Sequence, residues 1–554
     1  MGTEIKTPVL IVGGGPIGLS MAIELGWRGI ESILVDEGDG TIEHPRTGLI
    51  AVRTMELFRR WGLAQRVRDC GFPDDYDLSM VFCTSLNGLL LDRESYPSMR
   101  DAPTPPETPE KKQRCPQLWL QPILTDAARA EPRARLLFKH RFVSLQQDGE
   151  GVTATVTDLN TGEPVTIRAD YLLGCDGATS QVREQVGIRM EGRLLSYSVN
   201  VLIHAPGLVH EHKMGPAERY LFVGPEGTWG NLTVVDGNEI WRLTVLGSEE
   251  KMDLANFDPA AWVRRALGRD DVEFVVDSAI PWRRSEMLAD RYFEGRVALV
   301  GDSAHTMSPT GGMGMNTGAQ EVLDIGWKLE GLLNGWGGPA LLRSYETERR
   351  PVAQRNIGFS TQNFRAWQDT PSPAAVCDLS AEGEQVRRDL GRRLRESTRV
   401  EWESLGLQIG HRYEGSPICV SDGTPPTPDE YSTYIPTTRP GARAPHVWLS
   451  DGRSTLDLFG RTFVLLCFDG GLRGEADTLA QAFAARGVPF RLESIEQADV
   501  ASLRTPAGPG ASRRACRMAR LARGARRPGG RHGPRRRLAA SPFHETKRRQ
   551  PHED

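Results

Sequence analysis

"VLIVGGGPIGLSMAIELGWRGIESILVDE", residues 9–37, decides the fold. The aliphatic residues 9–12 predict a buried strand, residues 16 to about 28 a helix, and the run ending in Asp36-Glu37 a second strand. Between the first strand and the helix, Gly13, Gly15 and Gly18 fill a GxGxxG pattern. Gly13 permits the tight turn, Gly15 lets a pyrophosphate approach the backbone, and Gly18 lets the helix pack on the strand, whose helix N-terminus then faces the phosphate charge. Asp36 ends the second strand, where a carboxylate can bond a ribose hydroxyl. A glycine-rich turn alone is weak evidence. Strand before, helix after and acid at the end of the next strand together make a dinucleotide site the expectation. The unit does not separate FAD from NAD, because both carry an adenosine diphosphate half.

Two later stretches repeat the design. "ADYLLGCDGATSQVREQVGI", residues 169–188, gives an apolar strand, then Asp176-Gly177, then a helix opened by Ser180 and Arg183. "GRVALVGDSAHTMSPTGGMGMN", residues 295–316, gives a strand, Asp302, a glycine-rich loop and the start of another helix. Ligands of parallel sheets gather at the carboxyl ends of the strands, so three segments far apart in the chain can converge on one ligand. Between Asp36 and the next predicted helix, which begins near Thr54 as N-cap, Arg46 and Arg53 flank a short extended segment.

Composition narrows the class. With 554 residues, 39% hydrophobic and 25% charged, the chain can bury two or three ordinary cores. A formal charge of -4 is too small for its length to point to nucleic acid or a membrane surface as partner. Eight cysteines show no CxxC and no ligand-like pairing with His, so reduced thiols in a cytoplasmic protein, and no metal site, are expected. The early apolar stretch is broken by glycines and Glu24 and lacks a cleavage site or basic flank, which reads as strand and helix, not as a signal or span. Lys6 stands where a myristoylation signal wants Ser or Thr.

The three motifs in combination resemble the group A flavoprotein monooxygenases, the para-hydroxybenzoate hydroxylase fold. The phenol hydroxylase-like branch with its aromatic polyketide hydroxylases is the nearest likeness, over about residues 8–500. The resemblance implies FAD as cofactor, NADPH or NADH and O2 as co-substrates, and a phenolic or polycyclic aromatic substrate that receives one oxygen through a flavin C4a-hydroperoxide. It implies that Asp302 bonds the ribityl chain, that Pro309 shapes the loop beside the oxygen-reactive carbon, and that Gly312, Gly314, Met315 and Asn316 bring amides of a helix N-terminus to the negative charge of reduced flavin. Gln121, in "QLWLQPILTDAA", would face the ribityl and pyrophosphate region; alone it reads as an ordinary exposed helix Gln. Arg46 would meet the pyrophosphate and help receive NADPH, a task suited to a fork of donors. Arg53 fits that role or simple solvation of a helix start. Asp176 would touch both FAD and NADPH, with Arg183 neutralising them.

Arg46, Pro309 and His305 are the catalytic candidates implied. A His beside flavin can shuttle a proton, but His305, like His44, also fits a turn in which it only satisfies backbone groups. Hydroxybiphenyl-type relatives carry a His base two residues after the Arg matched by Arg46. Here that position is Gly48, which leaves the general base unassigned. There is no second GxGxxG, in keeping with NADPH binding transiently on the FAD domain and against the disulfide reductases.

The expected organisation is an α/β chain with a Rossmann-type FAD-binding domain at 1–185 and 290–400, part of 70–115 serving the substrate side. An antiparallel-sheet substrate domain follows at 186–289, built from segments such as "RYLFVG", "TWGNLTVV" and "EIWRLTVLG". Tyr220, Phe222, Trp229 and Trp241 are its candidate pocket residues, although each singly fits a sheet core equally. Residues 401–440 form a linker, and 441–502 a partial thioredoxin-like domain with a βαβ pattern whose role is packing or dimerisation, a homodimer being the candidate assembly. Residues 503–554 carry fourteen Arg and one Lys against three acids, read as GC-rich coding sequence in a shifted frame in preference to a nucleic-acid tail. Rival functions are epoxidation, Baeyer-Villiger oxygenation, halogenation, for which "IPWRR" at 280–284 is not the usual WxWxIP, and catalytically silent flavin or aromatic binding.

Overall fold

The computed structural model describes residues 4–42, 44–46, 48–468 and 473–495; the Arg-rich 503–554 segment and the frame shift read into it lie outside the described residues. The first strand, Glu4–Val12, is longer than its aliphatic core predicts because Pro164–Gly174 pairs with it in parallel from Glu4↔Thr166 to Val12↔Gly174. Val297–Leu299, Pro164–Gly174, Glu4–Val12, Ser32–Asp36 and Ala134–Phe138 are successive parallel neighbours in one sheet. Their carboxyl ends lie along one edge, and these are the ends that carry the three motifs and Asp36. Helices Pro16–Trp27, Gln117–Ala130 and Met313–Leu333 pack beside this sheet.

A second sheet runs in the order His305–Thr306, Val275–Ala289, Met190–His204, Ile240–Leu246, Gly227–Val234, Arg219–Gly224, Met80–Cys83, Leu90–Glu94. Its last two strands come from the 70–115 stretch. Strand alternation gives it two unlike faces. Register places Arg219, Thr233, Arg242 and Leu202 in one cross-strand row, and Leu221, Asn231, Thr244 and Asn200 in the next row of the same face. Tyr220, Phe222 and Trp241 are their odd-one-out neighbours and point the other way.

That second face is a hydrophobic core, and it corrects the expected pocket. Tyr220 and Trp241 lie 6.3 Å apart by ring centroid, and the Tyr220 hydroxyl donates to the Gly215 carbonyl at 2.7 Å. Trp229 has the parity of Asn231, but a bulge at Phe222/Val223 swings it back, so that it stacks on Phe222 at 5.0 Å and meets Trp262 of helix Pro259–Leu267 at 5.7 Å. All four aromatic residues are buried against that helix side. The opposite face turns to the 301–312 loop: Arg219 pairs with Glu401 at 3.0 Å, Glu401 accepts from the Gly311 amide at 3.0 Å, and Arg242 donates to the Pro45 carbonyl at 3.1 Å.

Two smaller expectations change. The helix expected from Thr54 begins at Val52, and the Thr54 hydroxyl donates to Asn316 Oδ1 at 2.7 Å instead of capping. Of the Pro-rich stretch 100–113, only the front is exposed. Thr108 and Glu110 are buried, Glu110 taking Arg68 at 2.6 Å and Thr108 donating to Glu56 at 2.7 Å. Near the end of the described chain, Phe463–Cys467 and Phe490–Ser494 pair in parallel around helix Arg473–Ala484, the βαβ pattern read from the sequence. Phe463 of this unit packs against Trp327 of helix Met313–Leu333 and against Trp336, and Asp457 just before the unit pairs with Arg59 at 2.8 Å. No helix among the described residues is long and apolar enough to cross a membrane.

Candidate functional site

The three motif loops touch one another. A Cβ built on Gly13 (φ +110°) would lie 2.4 Å from the Cys175 carbonyl oxygen, so only glycine lets the first loop lie against the second. The Val300 amide and the Ser303 hydroxyl both donate to the Gly174 carbonyl, at 3.0 and 2.6 Å, joining the second loop to the third. Arg183 adds to that seam by donating to the Ser303 and Ala178 carbonyls at 3.1 and 3.0 Å. A Cβ on Gly318 would meet Ile17 Cδ1 at 2.9 Å and Gly301 Cα at 3.0 Å, which closes the ring back onto the first helix.

Around this junction the glycines divide their tasks. A Cβ on Gly18 would fall 1.9 Å from the Gly13 oxygen, whereas one on Gly15 meets nothing within 4 Å. Gly15 is also the N-cap of helix Pro16–Trp27, with no side chain capping it, so first-turn amides face open space. Asp36 accepts from the Gly14 amide at 2.6 Å and the Gly38 amide at 2.7 Å, which fixes both loops that flank this space. Gln121 is buried, donates through Nε2 to the Gly14 carbonyl at 2.7 Å, and its Oε1 has no partner among the described residues.

The third loop supplies the other end. Gly311 and Gly312 take φ of +87° and +65°, and Gly312 is the N-cap of Met313–Leu333 with no side chain on its free amides and no acid in its first turn. Asp302 faces that turn, its Oδ1 being 3.9 Å from where a Gly314 Cβ would stand. Asp302 is exposed at the surface of the cleft yet flanked closely by protein, and that partial desolvation raises its pKa against the pull of His305 and Arg46. It has no hydrogen bond or ion pair among the described residues. Pro309 is exposed on the same loop. Met315 is partly buried in the main core. Asn316 is wholly buried and fully committed: it accepts from the Ala51 amide (2.8 Å) and Thr54 (2.7 Å), and donates to the Leu49 (3.0 Å) and Gly312 (2.7 Å) carbonyls. Its side chain clamps the third loop to the segment around residue 50 and is not free for a ligand.

The remaining candidates separate. Asp176 spends its oxygens on Ser180 (2.6 Å) and the Val182 amide (3.0 Å) at the start of a short helix, with its pKa raised by burial. His305 is fully buried with Nε2 3.0 Å from Glu321; burial lowers its pKa, but the Glu321 carboxylate outweighs this and leaves it raised. Glu321 also accepts from the Gly301 amide at 2.8 Å, so the pair braces the third loop. His44 is 3.0 Å from Ser278, and burial beside Arg242 and Arg46 lowers its pKa and keeps the imidazole neutral. Arg46 is exposed, with its guanidinium 5.5 Å from the Trp282 ring centroid and its amide donating to Gln117 at 2.9 Å. Arg53 pairs with Glu56 at 2.6 Å, as a helix-start residue does. At Gly48 a Cβ would lie 2.8 Å from Arg114 Nη1. The guanidinium occupies the side on which a His there would need room.

Sequence reading missed Glu321, Glu401, Arg219, Arg242 and Arg284. For the three arginines the available signal was polar residues alternating along the strands, beside the aromatic residues that drew attention; Glu321 and Glu401 lie in helices Met313–Leu333 and Ala381–Trp402, where no such alternation marks them. The cleft nevertheless fits a long polar cofactor: an opening at Gly15, an orphaned Gln121 oxygen, an uncommitted Asp302 and a bare helix N-terminus follow one another along one edge.

Comparison with known proteins agrees with this layout. A family model described as FAD binding domain matches residues 6–360. A putative polyketide hydroxylase of Streptomyces halstedii is 34% identical, over 84% of this chain and 81% of its own length. The 2,4-dichlorophenol 6-monooxygenase of Delftia acidovorans is 33% identical over 89% of this chain and 88% of its own. The solved structure of the rebeccamycin biosynthetic enzyme RebC with reduced flavin superposes with a TM-score of 0.83 at 38% identity, covering 90% of this chain and 93% of that one.

Proposed function

The chain belongs to the FAD binding domain family of flavoprotein aromatic hydroxylases, and from that premise we propose how its residues hydroxylate a phenolic or polycyclic aromatic substrate with NAD(P)H and O2. The observation that carries the reading is the mutual contact of three loops at adjacent parallel strand ends. FAD, when bound, would supply the redox chemistry that consumes NAD(P)H and O2. The protein supplies grip, charge and dryness. The amides after Gly15 take the pyrophosphate, Asp36 a ribose hydroxyl, Gln121 and Asp302 the ribityl chain, and Arg46 the pyrophosphate and the arriving nicotinamide. First-turn amides from Gly312 to Asn316 would face the negative charge of a flavin held there, and Pro309 would shape the loop beside it. Asp176 acts by holding the second loop, and His305 with Glu321 by holding the third.

A neutral imidazole accepts a proton where a protonated one does not. With Gly48 unable to act as a base, His44, neutral and hydrogen-bonded to Ser278 on the large sheet, is the proton acceptor this reading offers in its place. We assign residues 1–185 and 290–400 to the FAD-binding unit, 186–289 to the substrate sheet, 401–440 to a connecting stretch and 441–502 to a partial thioredoxin-like unit, in a cytoplasmic homodimer.

The test is anaerobic reduction of the flavin by NADPH with and without a panel of phenols, followed by aerobic turnover and product identification. Phenol-accelerated reduction and a product with one added ring hydroxyl are expected. An epoxide or an inserted ester oxygen would reassign the reaction within flavin oxygenation, and yellow protein indifferent to every aromatic would make it a binding protein.

A further inference from the structure

The side of the large sheet that faces the 301–312 loop carries more positive charge than nearby acids balance. Arg219 is matched by Glu401 at 3.0 Å and Arg114 by Glu218 at 3.0 Å. Arg242 and Arg284 have no ion-pair partner among the described residues. Arg242 donates to the Pro45 carbonyl at 3.1 Å, and Arg284 to Ser308 Oγ at 3.4 Å while lying 5.0 Å from the Phe364 ring centroid. The Nε of each is buried and unpartnered, and Arg284 is 3% exposed. Burial, then repulsion from Arg219 and from other arginines, pushes both guanidiniums down to about 10, with Glu401 pulling weakly the other way on Arg284 alone. Arg242 stands opposite Leu202 and Arg284 opposite Ser196 on strand Met190–His204, so the two cations bracket the floor between them. That floor is polar: Ser196 and Ser198 have buried hydroxyls without partners, and Asn363, next to Gly311, has both amide atoms unpartnered. Isolated buried cations are costly unless an anion meets them, and guanidinium forks suit a planar anion.

We propose that Arg242 and Arg284 are specificity-determining residues that hold an anionic group of the aromatic substrate, a carboxylate or an ionised acidic hydroxyl, on the polar face of the sheet. This rests on the hydroxylase reading of the same cleft. The polar floor orients the acid end while the ring lies toward the Ser308–Gly312 side of the chamber.

The test is equilibrium titration of the FAD-loaded enzyme with three probes: a hydroxynaphthoate, its methyl ester, and a nitrophenolate. The hydroxynaphthoate is expected to bind at least tenfold more tightly than its ester, and Arg242→Met and Arg284→Met each to erase most of that preference. Arg242→Lys and Arg284→Lys retain charge and should keep part of it, which separates loss of recognition from loss of fold; retained FAD content reports the fold directly. If the nitrophenolate behaves like the hydroxynaphthoate, the site takes any flat anion; if it behaves like the ester, the carboxylate is required. Equal binding of acid and ester by the wild type would overturn the proposal, as would variants whose loss falls on the KM for NADPH with the acid preference intact. Absence of any aromatic-stimulated NADPH oxidation would instead strike the hydroxylase reading, since the binding preference is read without turnover.

Discussion

Gly15 and Gly18 stand three positions apart in one turn and do opposite things. Gly18 is bare because the Gly13 carbonyl is against it, while Gly15 opens on empty space, which the proposed FAD site fills with pyrophosphate. Gly15→Ala, at φ -72° and ψ -177°, should fold with an unchanged apo melting temperature and bind FAD at least about tenfold more weakly, since the added methyl stands where phosphate oxygens approach. Gly18→Ala should lower the apo melting temperature by roughly 1–3 °C, because overpacking of this kind costs about 1–3 kcal/mol in a chain of this size. Differential scanning fluorimetry and flavin fluorescence titration separate the two. Asp302→Ala removes an uncommitted carboxylate and should weaken FAD about tenfold or more with the fold intact, a charged hydrogen bond contributing roughly 1.5–3 kcal/mol. These residues were legible because a glycine or acid at a strand end carries its reason in its spacing. Tyr220, Phe222, Trp229 and Trp241 were not, because residue type does not say which face of a strand is wet, and for Trp229 a bulge reversed even the parity.

At the level of elements, the helix Met313–Leu333 works through its first turn, and Asn316 sets where that turn points. Its four hydrogen bonds tie the 312 loop to Leu49, Ala51 and Thr54. Asn316→Ala should destabilise the protein by about 2–4 kcal/mol, allowing roughly 1 kcal/mol per bond, and should loosen FAD although the side chain need not touch it. Chemical unfolding and flavin titration read both effects; weakened FAD binding with unchanged stability would mean a direct contact instead. The strands and helices themselves were legible from period-two and helical patterning. The Thr54 helix start was misplaced because the partner of that hydroxyl lies in a helix more than two hundred and fifty residues later, beyond any local signal.

Across the whole molecule, convergence of the three motifs was readable from the rule that parallel strands collect ligands at one edge, whereas the excess charge on the second sheet needed the register to be seen. Charge also sets how the molecule responds to acid. Burial pushes His212 and His446 down to about 4 and His411 well below its ordinary value. The unfolded chain binds protons at these sites from pH 6.5 downward while the folded chain does not, so their stability is complete above pH 6.5 and is lost as pH falls toward 4. His212 and His446 are each worth of order 2–3 kcal/mol over that range. His305, raised by Glu321, acts oppositely: its contribution is present below pH 6.5 and fades as pH rises through its folded value. The unfolding midpoint should therefore drop between pH 6.5 and 5, and His446→Gln should flatten part of that drop.

The convergence of the three loops on one cofactor is tested most directly by hydrogen exchange of the protein with and without FAD. Binding should slow exchange together in residues 13–19, 174–183 and 301–317, with one FAD released per chain on denaturation. Protection confined to one of those stretches, or appearing elsewhere while they exchange unchanged, would contradict a shared site.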